Sequence, residues 1–249
     1  MMNDIVSVIV PVYNAAGVIV DTIRSVMDQS YEHIELILVD DASTDNGREV
    51  IKEYLRDNII LLENKNTKGA AGARNTGIEA ATGRYIAFLD ADDMWKADKL
   101  SKQIAFMKEK KAAFSFTGYE FADENCKGLG RIVTVPGKLS YKEALKNTTI
   151  FTSTVIFDTD KLDKRDIMMP YVKSEDTATW WKVLKSGHTA YGLDENLTLY
   201  RRTGESLSSD KVEAIRRIWN LYRNVEHLGI VYSCYCFCFW AYRAVARRV

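Results

Sequence analysis

The chain has 249 residues, 34 Lys+Arg against 34 Asp+Glu, 47% hydrophobic and 27% charged residues, and three prolines. This composition excludes disordered, collagenous and low-complexity chains, and the length suffices to bury a core without staples. One α/β domain with a C-terminal appendage is predicted rather than two equal domains. The zero net charge conceals an uneven distribution: residues 201–249 carry nine basic and four acidic side chains, so a tail of +5 follows a body of −5. Such a tail suits an anionic surface or ligand, and with no basic–aromatic repeat or nucleic-acid motif beside it, nucleic acid is set aside as a partner. The opening segment has no basic stretch and its apolar run stops at Pro11, so it does not read as a signal peptide. Cys126, Cys234, Cys236 and Cys238 lack a second ligand cluster and read as structural thiols in a reducing compartment.

In chain order, residues 5–10 form a β-branched run that reads as a buried parallel strand, followed by a helix over 17–29. A second strand over 34–39 ends at Asp40-Asp41, and Ser43 or Thr44 is placed to cap a helix running to about 55. Next come a strand over 59–62, a small-residue helix over 70–81, a strand over 85–89 and a helix over 97–110. Beyond residue 112 the rhythm loosens. Strands are expected over 112–121 and 149–157, a loop over 128–137, a helix over 174–185, a strand region over 188–200 and a helix over 210–227. Residues 228–242 carry no charge; as a helix they span roughly 22 Å, short of a bilayer's hydrocarbon core. With Arg243, Arg247 and Arg248 behind them, they suit an interfacial helix on an anionic leaflet, the alternative being a helix buried on the domain or in a homodimer interface.

Alternating strands and helices predict a doubly wound, mostly parallel sheet flanked by helices, whose ligands bind outside the carboxyl ends of the strands. Three strands stop at polar signatures: Pro11-Val12-Tyr13-Asn14, Asp40-Asp41 and Asp90-Ala91-Asp92-Asp93. All three therefore fall on one rim. Three carboxylates at one strand end do not all stay ionised cheaply, and a hard divalent cation, Mn²⁺ or Mg²⁺, arriving with a phosphate-bearing substrate is their natural partner. The alternative for Asp93 is a cap on the following helix.

The segments SVIVPVYN, LILVDDASTD and KGAAGARNTGIEAATGRYIAFLDADD together resemble the inverting family 2 glycosyltransferases of the nucleotide-sugar-binding GT-A fold, over about residues 5–205. The resemblance implies that Pro11, Tyr13 and Asn14 pack around the nucleotide base. It implies that Asp41 accepts a hydrogen bond from a uracil ring, and that Arg74 contacts the base or phosphate side. Asp90 would contact the ribose and Asp92 the metal. Ser174-Glu175-Asp176 resembles the family's Glu-Asp pair, with Asp176 the general base and Glu175 orienting it or the acceptor; helix capping by Ser174 is the competing reading. The Gln-x-x-Arg-Trp signature of processive members is missing, which favours single addition. Tyr200-Arg201-Arg202 with Gly204 and Ser206 is similar to a loop of bacterial O-antigen and capsular polysaccharide transferases, in which Arg202 or its neighbour Arg201 would close over the diphosphate.

These readings imply a catalytic domain over 1–205, with a nucleotide-sugar part to 110 and an acceptor part from 111, and a basic, aromatic extension over 206–249. The expected partners are a UDP-sugar donor, a lipid-linked saccharide acceptor and, through the tail, an anionic membrane surface. The expected location is cytoplasmic and peripheral on the inner face of the membrane. Two rivals are a polyprenyl-phosphate glycosyltransferase, which needs no general base, and a catalytically silent nucleotide-sugar-binding protein. His33, His188 and His227 attract no role, and the aromatic residues, mostly at core spacing, single out no sugar platform.

Overall fold

The computed structural model describes residues 4–202 and 211–246. Its elements run β1 (Val6–Val12), α1 (Ile19–Met27), β2 (Ile34–Asp40), α2 (Gly47–Lys52), β3 (Ile59–Glu63), α3 (Ala70–Ala80), β4 (Tyr85–Phe88), β5 (Met94–Trp95) and α4 (Lys99–Lys110). The second half adds β6 (Phe114–Ala122), β7 (Gly128–Val133), β8 (Lys138–Leu139), α5 (Tyr141–Ala144), β9 (Ile156–Asp158), α6 (Lys164–Ile167), α7 (Glu175–Lys185) and β10 (Ala190–Arg201). Beyond the undescribed stretch lie α8 (Lys211–Asn220), a π-turn over Leu221–Val225 and α9 (Ile230–Ala246).

The sheet runs β3-β2-β1-β4-β9-β6-β10-β5, with β7 on β6 and β8 on β10. β1, β2, β3 and β4 are mutually parallel, and their registers pair Val12 with Asp40 and Ile9 with Phe88. The three polar signatures therefore emerge on one rim, as their sequence positions predict. Continuous apolar strands are explained by burial on both faces: one core gathers α1 and α4 side chains over β1 and β2, the other gathers α3, α7 and the C-terminal helices.

Four expectations are corrected. Residues 128–133 form a strand, because an Asp123 turn, whose carboxylate accepts from the Asn125 and Lys127 amides, folds them back onto β6. Of 149–157 only the end is strand. Thr152–Thr154 wind into a 3₁₀ turn, with the Thr154 hydroxyl donating to the Phe151 carbonyl at 2.6 Å. The helix expected from Ser43 or Thr44 starts at Gly47, since the Ser43 hydroxyl accepts from the Asn14 amide and Thr44 donates to Asn14 Oδ1. The helix over 210–227 gives way to the π-turn after Asn220.

Lys99, at the start of α4, is fully buried; its Nζ lies 3.7 Å from the Trp95 ring centroid and makes no hydrogen bond. The ring favours a charged amine, but loss of water dominates and holds the amine well below its ordinary 10.5. Between that lowered value and 10.5 the unfolded chain holds a proton that the fold does not, so stability rises with pH across this window. Lys99→Met is expected to raise the melting temperature at pH 7 by about 2–4 °C, roughly 1 kcal/mol. It should also flatten the rise in melting temperature between pH 7 and 9; unchanged melting curves would contradict this account.

Candidate active site

A cleft of about 850 Å³ opens on the carboxyl rim, between the ends of β1, β2 and β4 and the start of α3. Pro11, Tyr13, Asn14, Asp41, Arg74, Asp90 and Asp92, all expected in the site, line it. Lys68 and Arg201 join them, and the Lys68 ammonium sits 5.2 Å from the Tyr13 ring centroid.

Asp41 is buried at the end of β2, its Oδ1 accepting from Asn64 Nδ2 at 2.6 Å and its Oδ2 from the Gly69 amide at 2.8 Å. Gly69 meets this carboxylate with φ +122°, a backbone state open to glycine. Three residues on, a Cβ at Gly72 would stand 1.8 Å from the Thr67 carbonyl oxygen. The run Lys68-Gly69-Ala70-Ala71-Gly72 thus lets backbone close on the floor of the cleft. Asn14, also at positive φ, ties the first loop to the second through Ser43 and Thr44.

Arg74 is nearly buried on α3. It donates from Nη2 to Asp90 Oδ1 at 2.6 Å and from Nη1 to Glu175 Oε1 at 2.8 Å. Burial works against its charge, but Asp90, Glu175 and Asp176 outweigh it and hold the guanidinium above its ordinary value. The next residue, Asn75, exchanges two hydrogen bonds with the Met169 backbone, at 2.7 and 2.9 Å. One turn of α3 therefore clips the second half of the chain to the first.

The acids after β4 diverge. Asp93 is fully buried and accepts from Ser153 Oγ at 2.5 Å and from the Arg201 amide at 3.1 Å, so it neither caps α4 nor faces the cleft. Its burial, with Asp90 and Asp92 nearby, raises its carboxyl far above the usual range. Asp92 faces the cleft; shielding by its walls, then repulsion from Asp90, raises its carboxyl too. Asp90 and Asp92 are hard oxygen donors, the class that suits Mg²⁺ or Mn²⁺, and no third histidine, cysteine or acid joins them in a metal-binding group among the described residues. Two protein oxygens fit a cation whose remaining ligands are phosphate and water.

Asp176 opens α7 with Glu175. Ser174 before it has φ +61° and its side chain makes no capping bond, so these acids are not there to serve a Ser174 cap. Asp176 Oδ2 accepts from Thr152 Oγ1 at 2.9 Å. The neighbouring Ser153 accepts from the Asp90 amide at 3.1 Å and donates to Asp93, and its carbonyl takes the Trp95 indole N–H at 2.6 Å. The turn unseen in the sequence thus brackets the acids of both halves. Burial raises the Glu175 carboxyl, with Arg74 pulling against it.

Arg202 lies elsewhere than expected: its guanidinium sits 5.6 Å from the Phe121 ring centroid, and it does not line the cleft. Arg201 does, buried, donating to the Asp92 and Glu124 carbonyls at 2.7 Å and to Asp21 at 3.0 Å. Gly204 and Ser206 of the expected loop lie outside the described residues.

A cleft rimmed by carboxylates thus opens on the carboxyl rim, and Arg74 on its wall holds Glu175 of a second acid pair. The glycosyl transferase family 2 profile matches residues 7–164. The chain is a family 2 glycosyltransferase. It is 44% identical, over 98% of both chains, to TuaG of Bacillus subtilis (strain 168), a glycosyltransferase whose name assigns it provisionally to teichuronic acid biosynthesis. It is 39% identical to WfgD of Escherichia coli, over 88% of this chain and 86% of that one. WfgD is named a UDP-Glc:α-D-GlcNAc-diphosphoundecaprenol β-1,3-glucosyltransferase. Among solved structures, Staphylococcus aureus TarS 1–349 with UDP-GlcNAc superposes with TM-score 0.70 at 23% identity, over 95% of this chain and 70% of that one. The mannosyltransferase PcManGT of Pyrobaculum calidifontis, with GDP-Man and Mn²⁺, gives 0.71 at 21%, over 90% and 64%. These likenesses place the chain in the GT-A fold expected from its sequence.

Because Arg74 neutralises two part-buried acids at once, Arg74→Met is expected to lower stability by about 2–4 kcal/mol. Arg74→Lys, which lacks the fork, should recover only part of it. Denaturant unfolding checks this; an unchanged midpoint for Arg74→Met would contradict it.

Proposed function

We propose that this glycosyltransferase moves a hexose from a UDP-α-sugar to a hydroxyl of a lipid-diphosphate-linked N-acetylhexosamine, inverting the anomeric centre. The carrying observation is that Asp90, on the cleft, and Glu175 both bond Arg74, a cleft-lining residue whose charge Asp176 also supports, while Thr152 anchors Asp176, which does not itself line the cleft. The names of the 36–39% identical E. coli relatives support UDP-glucose as donor and an N-acetylglucosaminyl diphosphate lipid as acceptor.

In this reading Tyr13 and Asp41 hold the base, with Asp41 fixed by Asn64 and Gly69 so that a remaining lone pair meets a ring N–H. Asp90 contacts the ribose, and Asp90 with Asp92 would hold Mn²⁺ or Mg²⁺. Such a cation, when bound, supplies positive charge that lets the diphosphate leave. Lys68 and Arg201 add positive charge to the same cleft. Asp176 takes the proton of the acceptor hydroxyl as that oxygen attacks the anomeric carbon; the bond to the diphosphate breaks and its electron pair departs with UDP. Attack from the face opposite the leaving group gives a β-linkage.

We also propose that α9 meets the membrane surface. Its inner side buries Ser233 and Cys236, while Val231 and Tyr242 are 82% and 73% exposed. Lys146 lies 5.7 Å from the Tyr235 and Phe239 ring centroids, giving the aromatic face a basic margin suited to an anionic leaflet. No helix among the described residues is long and apolar enough to cross a membrane.

Asp176→Asn is expected to lower kcat by about 10²–10⁴-fold with UDP binding retained. Normal turnover would reject the base and favour a lipid phosphate as nucleophile. Asp92→Ala should abolish the Mn²⁺-dependent part of UDP binding in calorimetric titration; unchanged affinity would remove the metal assignment. Val231→Glu with Tyr242→Glu should abolish cosedimentation with anionic vesicles, and retained binding would move the contact elsewhere.

A further inference from the structure

Thr152, Ser153 and Thr154 form a buried turn, a place where a hydroxyl costs more than an apolar group unless it finds a partner. The backbone of the turn is fixed from three elements. The Ser153 carbonyl accepts the Trp95 indole N–H of β5 at 2.6 Å and the Thr198 hydroxyl of β10 at 3.4 Å. The Thr154 carbonyl accepts from Gln103 Nε2 of α4 at 3.0 Å. Thr154 spends its own hydroxyl inside the turn, on the Phe151 carbonyl. The two hydroxyls left over, on Thr152 and Ser153, both meet acids of the candidate site.

The two serve different acids. Thr152 Oγ1 donates to Asp176 Oδ2 at 2.9 Å, while Asp176 Oδ1 takes the Thr177 amide of its own helix at 2.5 Å. Among the described residues, Thr152 is thus the hydrogen-bond partner that ties the Asp176 carboxylate to the fold outside α7. Ser153 Oγ takes the Asp90 amide at 3.1 Å and bonds Asp93 Oδ2 at 2.5 Å, which seats the strand end from which Asp90 and Asp92 line the cleft. These two mounts are consecutive residues, with Cα atoms about 3.8 Å apart. One peptide unit therefore sets where Asp176 stands relative to the Asp90 strand end. A misplacement of about 1 Å between reacting groups is enough to cost on the order of 10²-fold in rate.

We propose that Thr152 and Ser153 are positioning residues with separate tasks in the transfer: the Thr152 hydroxyl aims Asp176 at the acceptor hydroxyl, and the Ser153 hydroxyl sets the strand-end acids for the donor. The inference rests on the reading of Asp176 as base and of Asp90 and Asp92 as donor-side acids. It adds two residues that touch neither substrate and divides their effects between turnover and donor binding.

The test is a KM-against-kcat split on the full chain, with calorimetric titration of UDP in the presence of Mn²⁺ as a second readout. Thr152→Val keeps the shape and removes the hydroxyl; it should lower kcat about 10–100-fold and leave UDP affinity and the KM for the UDP-sugar in place. Thr152→Ser, which returns the hydroxyl, should restore most of that kcat. Ser153→Ala should weaken UDP binding about tenfold or more and raise the KM for the UDP-sugar with it, with the smaller effect on kcat at saturating donor. Ser153→Cys, a weaker donor, should fall between Ser153→Ala and wild type. A turn that serves folding alone would lower kcat and UDP affinity together in both Thr152→Val and Ser153→Ala, and that result overturns the proposal. Wild-type turnover by Thr152→Val beside an inactive Asp176→Asn also overturns it, and leaves the functional reading standing. Normal turnover by Asp176→Asn removes that reading and this proposal together.

Discussion

One buried guanidinium joins the two halves of the fold at the cleft. Arg74 on α3 spans Asp90 at the end of β4 and Glu175 at the start of α7, joining the parallel half of the sheet to the half that follows it. Its surroundings explain why an arginine is needed. Asp90, Asp92, Asp93, Glu175 and Asp176 are brought close by strand ends and a helix start, and without a fixed positive charge among them they would repel. A forked, planar cation meets two carboxylates from two elements at once, which a lysine does not. Both halves of the fold share this contact, so its loss is felt in both.

Around that centre the protein spends its polar groups on rigidity. The turn at Thr152–Thr154 supports Asp176, Asp93, the Asp90 amide and the Trp95 indole from two consecutive residues, Thr152 and Ser153. Arg201 buries its charge against the Asp92 and Glu124 carbonyls and Asp21, fixing the backbone of the strand-end acids. Groups held this way need little rearrangement in the transfer proposed above.

The first half was readable because its strands are buried on both faces and therefore written as unbroken apolar runs, each ended by polar residues at a rim. β1, β2 and β4 kept their expected places, and the rim they share brought Tyr13, Asp41, Arg74, Asp90 and Asp92 into one cleft. What stayed hidden depends on pairing between distant segments. The hydroxyls of Thr152 and Ser153 look like an ordinary strand stretch until they meet acids 24 and 60 residues away. Gly128 and Gly130 read as loop until β6 offers them partners, Ala122 in the ladder for the first and the Glu120 carboxylate for the amide of the second. Arg201 and Arg202 are indistinguishable in composition, and strand alternation alone sends one to the cleft and the other to Phe121.

The central claim is a metal-assisted transfer from a UDP-sugar to a sugar on a lipid diphosphate. Its most direct measurement is UDP release from a panel of UDP-hexoses and UDP-N-acetylhexosamines, with and without Mn²⁺, in the presence and absence of a short-lipid N-acetylglucosaminyl diphosphate. The account predicts Mn²⁺-dependent release from one donor, UDP-glucose first among them, rising with the acceptor. No release from any donor, together with no binding of UDP, would contradict it.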